Sequence, residues 1–408
     1  MSESLASSRP VQRLAQTRGP GTAQLLVLLA ASCLSVLGAV LIAPVLPQMQ
    51  AAFATVPGAD VLVPVVLTVP ALMIGLAAPF AGLIVDRVDR KRLLLIALAV
   101  YAVVGTAPLY LASLQAILIS RVLVGVCEAA IMTCATTLIG DYWSGARRSR
   151  YLGLQTLVAS LSATVFLGLG GVLGTLGWRT PFWVYAVAVV LVPLTAVLIR
   201  QPAEHGRRPA SRRLQPLPWR SLLTPCAVSF VGGIVFYTLI VELSFVLTGV
   251  GLTSSAAIGG ISALMSVATA AGCVVFARLT HRTPRALLPV EFLLSAIGFG
   301  LVFATTSVPV ISLGAVFAGF GTGMLLPTLL TWAVNRLDFE QRGRGTGLWT
   351  GTLFVGEFVC PVLIAAIGTG VGGLRPAIGV LGVLAAVMAV VCVLVTRRTN
   401  VPLDITND

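Results

Sequence analysis

Four glutamates stand inside long apolar stretches of this 408-residue sequence: Glu128, Glu242, Glu291 and Glu357. An ionisable group inside a membrane costs a few kcal/mol even on the mildest insertion scales, so one that is retained there points to function. Low-dielectric surroundings disfavour the charged form of a carboxyl. A carboxyl of this kind whose exposure alternates can load a proton on one side of a barrier and release it on the other. Glu128 and Glu357 fall near the middle of their stretches and Glu242 in the outer part of its own, which makes these three the candidates for proton coupling. Glu291 lies only about five residues from one end of its stretch and is expected to reach the headgroups.

Arg121 precedes Glu128 by seven residues. Seven helical steps of about 100° bring both side chains to nearly the same face, and a rise of about 1.5 Å per residue separates them by about 10.5 Å. They are not a direct pair. Two charges at different depths on one stripe suit a polar path facing a cavity, with Arg121 as its polar lining. The alternative is that each is tied to a neighbouring helix as a packing group. Tyr237 and Trp349, at similar depths, are candidates for the pocket wall or for the core.

The elements that must hold these residues are membrane spans. The chain is 57% hydrophobic and 10% charged, where a soluble domain carries about 25% charge; its mean hydropathy is +0.99. Crossing about 30 Å of hydrocarbon takes about 20 apolar residues. Twelve stretches reach that length: 24–47, 61–85, 93–112, 114–139, 151–174, 181–200, 222–247, 256–278, 286–306, 309–334, 346–369 and 375–396. Each must be helical, because hydrocarbon offers no partner to an open backbone group. The expected organisation is a polar tail at 1–22, six helices in 23–200, a basic linker at 201–220, six helices in 221–397 and a tail at 398–408.

Of the 27 lysines and arginines, 24 fall in the tails, the linker and the loops on one side of this arrangement; Arg179 and Arg375 fall on the other, and Arg121 lies inside a span. Basic loops stay cytoplasmic, so both termini are expected in the cytoplasm. The same distribution explains the net charge of +13 without a nucleic-acid partner. The seven cysteines lie within or beside apolar stretches without metal-ligand spacing, and both histidines flank basic loops, so no metal site or cofactor is expected. No catalytic constellation or P-loop stands out, so neither an enzyme nor a directly ATP-driven pump is expected.

The loop GLIVDRVDRKR at 82–92 joins the second and third stretches. It resembles the loop between helices 2 and 3 of the major facilitator superfamily, G-x-L-x-D-R-x-G-R-K-x-x-L, through Gly82, Asp86, Arg87, Arg90, Lys91 and Leu94; Asp89 replaces the family's glycine. The two halves also repeat: Arg148, Arg150, Gly153, Leu154 and Thr156 recur 194 residues later as Arg342, Arg344, Gly347, Leu348 and Thr350. Pro44 and Pro47 resemble the proline pair of drug-exporting members, and Gly170, Gly171, Gly177, Trp178, Arg179 and Phe182 resemble the family's ending of helix 5. Phe166 and Leu167 stand where the antiporter signature has Gly-Pro.

This resemblance implies an all-α membrane protein of twelve helices in two pseudo-symmetric six-helix halves, with substrate held between them near mid-membrane. It further implies that Asp86 approaches the start of helix 11 when the cytoplasmic side is closed, where a carboxylate is favoured by unpaired N–H groups, and that Gly82 lets helices pack closely. The function it implies is proton-coupled efflux of a small, mostly apolar molecule by a monomeric multi-pass transporter of the cell membrane. The alternatives are transport of a polar metabolite or sugar, in either direction, and a receptor that no longer transports.

Overall fold

In a computed structural model of the chain, residues 21–81, 88–201, 216–338, 341–397 and 402–403 are described. Gly82, Asp86 and Arg87 lie outside these residues, as does most of the 201–220 linker. Among the described residues twelve helices are long and apolar enough to span a bilayer. They are α1 (Thr22–Ala52), α2 (Ala59–Phe80), α3 (Arg90–Leu109), α4 (Leu114–Tyr142), α5 (Gly145–Gly174), α6 (Thr180–Leu198), α7 (Trp219–Gly249), α8 (Ser255–Arg278), α9 (Pro284–Ala304), α10 (Val308–Val334), α11 (Arg342–Val371) and α12 (Leu374–Val395). There is no strand among the described residues. The end of the bundle that carries the start of α1 and the end of α12 is called the near end below, and the opposite end the far end.

The helix starts follow local chemistry. Ser113 accepts a hydrogen bond from the Ala116 N–H at 3.1 Å to open α4, and Ser254 does the same for Ala257 at 3.3 Å to open α8. Asp89, the departure from the family pattern, caps α3 by accepting from the Arg92 N–H at 2.9 Å. A carboxylate satisfies an orphan donor there, as glycine cannot. The next two residues tie the same corner down inside the first half. Arg90 pairs with Asp141 at the end of α4, and Lys91 donates to the Ala196 carbonyl of α6 at 2.7 Å. Large apolar side chains such as Val165, Val190, Leu223 and Val383 are left on the outer surface, the surface that a lipid solvent accommodates.

The halves meet along two helix pairs that close at opposite ends. At the near end α2 packs on α11 through glycines: a Cβ on Gly347 would stand 2.7 Å from the Ala78 carbonyl oxygen, and one on Gly351 2.8 Å from that of Gly75. At the far end α5 packs on α8, where a Cβ on Gly171 would stand 2.7 Å from the Gly259 Cα. Small residues at such crossings let backbones approach where lipid gives no hydrophobic drive. Deeper in, Thr164 of α5 donates to Ser266 of α8 at 2.9 Å. The first helix is itself divided. Its regular stretch ends at Val40, a 3-10 turn spans Ala43–Val45, and helix resumes at Leu46. Pro44 has no N–H with which to continue the ladder.

Candidate functional site

A cavity of about 1330 Å³ lies at the far end, where α2 and α11 part. Its walls come from the far ends of α1, α2, α7 and α11, and most of the lining is apolar or small, including Val61, Pro64, Phe245, Pro361 and Ile364. Among its described lining residues Glu242 and Asp60 are the charged ones, and none is Lys, Arg or His. Asp60 stands exposed in the first turn of α2, a place that suits an acid for the helix's own sake. Glu242 is different. It sits seven residues before the end of α7, about 10.5 Å deep. It is 4% exposed, and it makes no hydrogen bond or ion pair with any described residue.

Glu357 lies behind this wall, on α11. It is buried and likewise without a hydrogen-bond partner among the described residues. Cys360 stands one turn further along α11 from it. Cys360 contacts the Thr238 hydroxyl of α7 at 3.5 Å. Tyr237, the neighbour of Thr238, turns the other way and crosses to the first half. Its hydroxyl donates to the Ala39 carbonyl of α1 at 2.6 Å.

Glu128 is fully enclosed inside the first half. Its carboxyl fills the space that a side chain at Gly38 would need, so α1 can pass only because residue 38 has no Cβ. Tyr101 of α3 donates to the Leu34 carbonyl at 2.8 Å and approaches Glu128 Oε1 at 3.5 Å; Glu128 Oε2 has no hydrogen-bond partner among the described residues. Tyr101 packs against Tyr185 of α6 with ring centroids 5.3 Å apart. Tyr185 in turn accepts from Arg121 Nη1 at 2.8 Å.

The stripe shared by Arg121 and Glu128 is therefore real, but it does not face the cavity. Arg121 is completely buried within the first half. Its guanidinium donates to the Gly105 carbonyl of α3 at 3.2 Å and lies over the rings of Tyr185 and Phe182, 4.8 and 5.3 Å from their centroids. Aromatic faces and carbonyls hold the cation in place, so the expected cavity-lining role of Arg121 is replaced by an internal anchor. Trp349 is likewise a packing residue, donating to Ser229 of α7 at 2.7 Å. Glu291 does not reach the headgroups. It is fully buried and accepts from the Thr328 hydroxyl of α10 at 2.6 Å, because α10 and α12 close over the start of α9. Among the described residues no cluster of side chains fits a metal ion.

The Major Facilitator Superfamily model matches residues 28–305 and 226–407, nearly the whole of both halves. The chain is 26% identical over 341 residues to the 3-(3-hydroxy-phenyl)propionate transporter of Escherichia coli (strain K12), covering 78% of this chain and 81% of that one. It is 26% identical over 236 residues to the class C tetracycline resistance protein of Escherichia coli, 57% of each chain. Among solved structures, a bacterial homolog of the human lysosomal transporter Spinster, inward-facing and unoccupied, superposes with a TM-score of 0.76 at 17% identity, covering 93% of this chain and 97% of that one. A D-xylose-proton symporter superposes at 0.74 with 15% identity, covering 90% and 97%. Twelve helices in two halves, a cleft between them and a profile match that runs through both place this chain in the Major Facilitator Superfamily, as a multi-pass membrane transporter.

Proposed function

We propose that this protein exports small apolar cations in exchange for protons, by alternating access, from a cell membrane in which both termini are cytoplasmic. The observation that carries the reading is Glu242. A buried carboxyl without a hydrogen-bond or ion-pair partner among the described residues, in an apolar cavity whose described lining holds no cationic side chain, suits a cationic guest. Phe245, one turn along α7, offers an aromatic face to the same guest. Glu128 is the acid assigned to the coupling proton, because it is enclosed on all sides and keeps one oxygen unpartnered. The orientation rests on the arginine distribution. The tetracycline resistance relative supports an export role. The protein is taken to act as a monomer without a cofactor and to catalyse no chemical conversion.

The propionate transporter among the relatives motivates the second reading, uptake of an organic anion. That reading requires a cation at the cavity; Arg375, next in sequence to the lining residue Leu374, donates to the Phe303 and Thr305 carbonyls, and Arg121, inside its span, is committed to Tyr185 and the α3 carbonyls. One experiment separates the two. Purified protein in liposomes with an internal pH-sensitive dye is given an apolar quaternary cation, its neutral isostere, or an aromatic carboxylate. The cation alone should dissipate the pH gradient. Glu242→Gln should weaken its binding about ten- to a hundredfold, within what an opposite charge at about 4 Å is worth below the dielectric of bulk water. Dissipation by the carboxylate, or unchanged cation affinity in Glu242→Gln, would overturn the reading.

A further inference from the structure

Two acts meet on consecutive residues of α1. From inside the first half the Glu128 carboxyl presses against Gly38. From the second half the Tyr237 hydroxyl bonds to the carbonyl of Ala39. Both contacts fall just before Val40, where the regular helix ends ahead of Pro44. The barrier between Glu128 and the seam of the two halves is therefore one helix thick, placed at that helix's weakest point, and held from the seam side by a side chain belonging to the other half.

We propose that Tyr237 is a positioning residue that ties the movement of the two halves to the exposure of Glu128. While its hydroxyl holds the Ala39 carbonyl, α1 stays closed over the carboxyl. In this proposal the rocking of one half against the other breaks the 2.6 Å bond across the seam. Its loss frees the break in α1 to flex, and a proton can then pass between Glu128 and water in the seam. The titratable and charged groups that act electrostatically on Glu128 are Arg121 and Cys127 of α4, Tyr101 of α3 and Tyr185 of α6, with Tyr237 of α7 acting from beyond α1; Glu357 and Cys360 of α11 act on Tyr237. Glu128 and Glu357 thus both act on one tyrosine. The proposal rests on the proton-coupled reading for its purpose, but its geometry can be tested without transport.

The test is the rate at which an apolar carbodiimide, which attacks protonated carboxyls, modifies Glu128 in the purified protein, read by peptide mass spectrometry. Tyr237→Phe keeps the ring and removes the hydroxyl. Glu128 should then react about three- to tenfold faster than in wild type, the shift that loss of one hydrogen bond makes in an opening equilibrium. Tyr237→Met, which fills the site without a hydroxyl, should do the same and replaces Tyr237→Phe if that variant does not accumulate. Thr238→Val, whose hydroxyl bonds its own helix and Cys360, should leave the rate unchanged. Unchanged labelling in a folded hydroxyl-free variant would overturn the proposal. So would equal acceleration in Thr238→Val, since that would make any loosening of α7 sufficient. In liposomes, Tyr237→Phe should lose uphill transport and keep exchange of substrate for substrate. If the wild-type protein shows no proton coupling while labelling still accelerates, the function assigned above fails and the gate stands.

Discussion

Gly38→Ala probes the enclosure of Glu128 without reference to any substrate. An added Cβ at position 38 would occupy the place of the Glu128 carboxyl, which has no free volume to retreat into because Tyr101 and the α1 backbone close it off. Overpacking of this kind costs about 1–3 kcal/mol. Replacing a glycine inside a helix gains about 0.5–1 kcal/mol in return, so a net loss of about 1–2 kcal/mol is expected. For a half of this size that is a fall of about 2–8 °C in a thermal melt of the detergent-solubilised protein. Gly153→Ala is the matched control. It is a helical glycine with nothing within 4 Å of its would-be Cβ, and its substitution should be neutral or slightly stabilising. Glu128→Ala removes the obstructing carboxyl, so Gly38→Ala made in that background should cost about 1–3 kcal/mol less than in wild type. A melt in which Gly38→Ala behaves like Gly153→Ala, or in which the two changes at 38 and 128 simply add, would refute the placement of the carboxyl against α1.

Two further outcomes concern orientation and the loop after α2. Cysteines placed at positions 56 and 252 should react with a membrane-impermeant thiol reagent applied to sealed cells, and cysteines at 210 and 342 should not; labelling at 210 would reverse the orientation. Asp86→Asn should lower transport at normal membrane abundance by weakening the closed near end, where α2 already meets α11 through Gly75, Gly347 and Gly351. Full transport in that variant would reduce the loop to a topological marker.

The spans were legible because hydrocarbon imposes one rule on every residue that crosses it, and the rule is local. The twelve stretches read from composition fall on the twelve helices, with shifts of a few residues at some ends, as where the Asp89 cap starts α3 at Arg90, and none where Ser113 starts α4 at Leu114. The face shared by Arg121 and Glu128 was also legible, since helical geometry alone fixes it. What that face meets was not. The partners of Arg121 are Tyr185 and the carbonyls of α3, 64 and 16 to 17 residues away in sequence, and nothing in α4 announces them. Glu291 fails for the same reason: depth along its own helix suggested a headgroup contact, while α10 and α12 bury it from the side. The role of Tyr237 had one faint signal, a tyrosine in an apolar helix at the depth of the acids. Its partner is a backbone carbonyl of the other half, which no side-chain pattern encodes.

The central claim is that Glu128 carries the coupling proton, and Glu128→Gln addresses it most directly, because glutamine keeps the shape and hydrogen bonding of the acid and removes its titration. In liposomes at matched abundance, accumulation of an apolar cation driven by a pH gradient should collapse, while binding and substrate-for-substrate exchange, which need no net proton movement, persist. Uphill accumulation retained at the wild-type rate in Glu128→Gln would contradict the account.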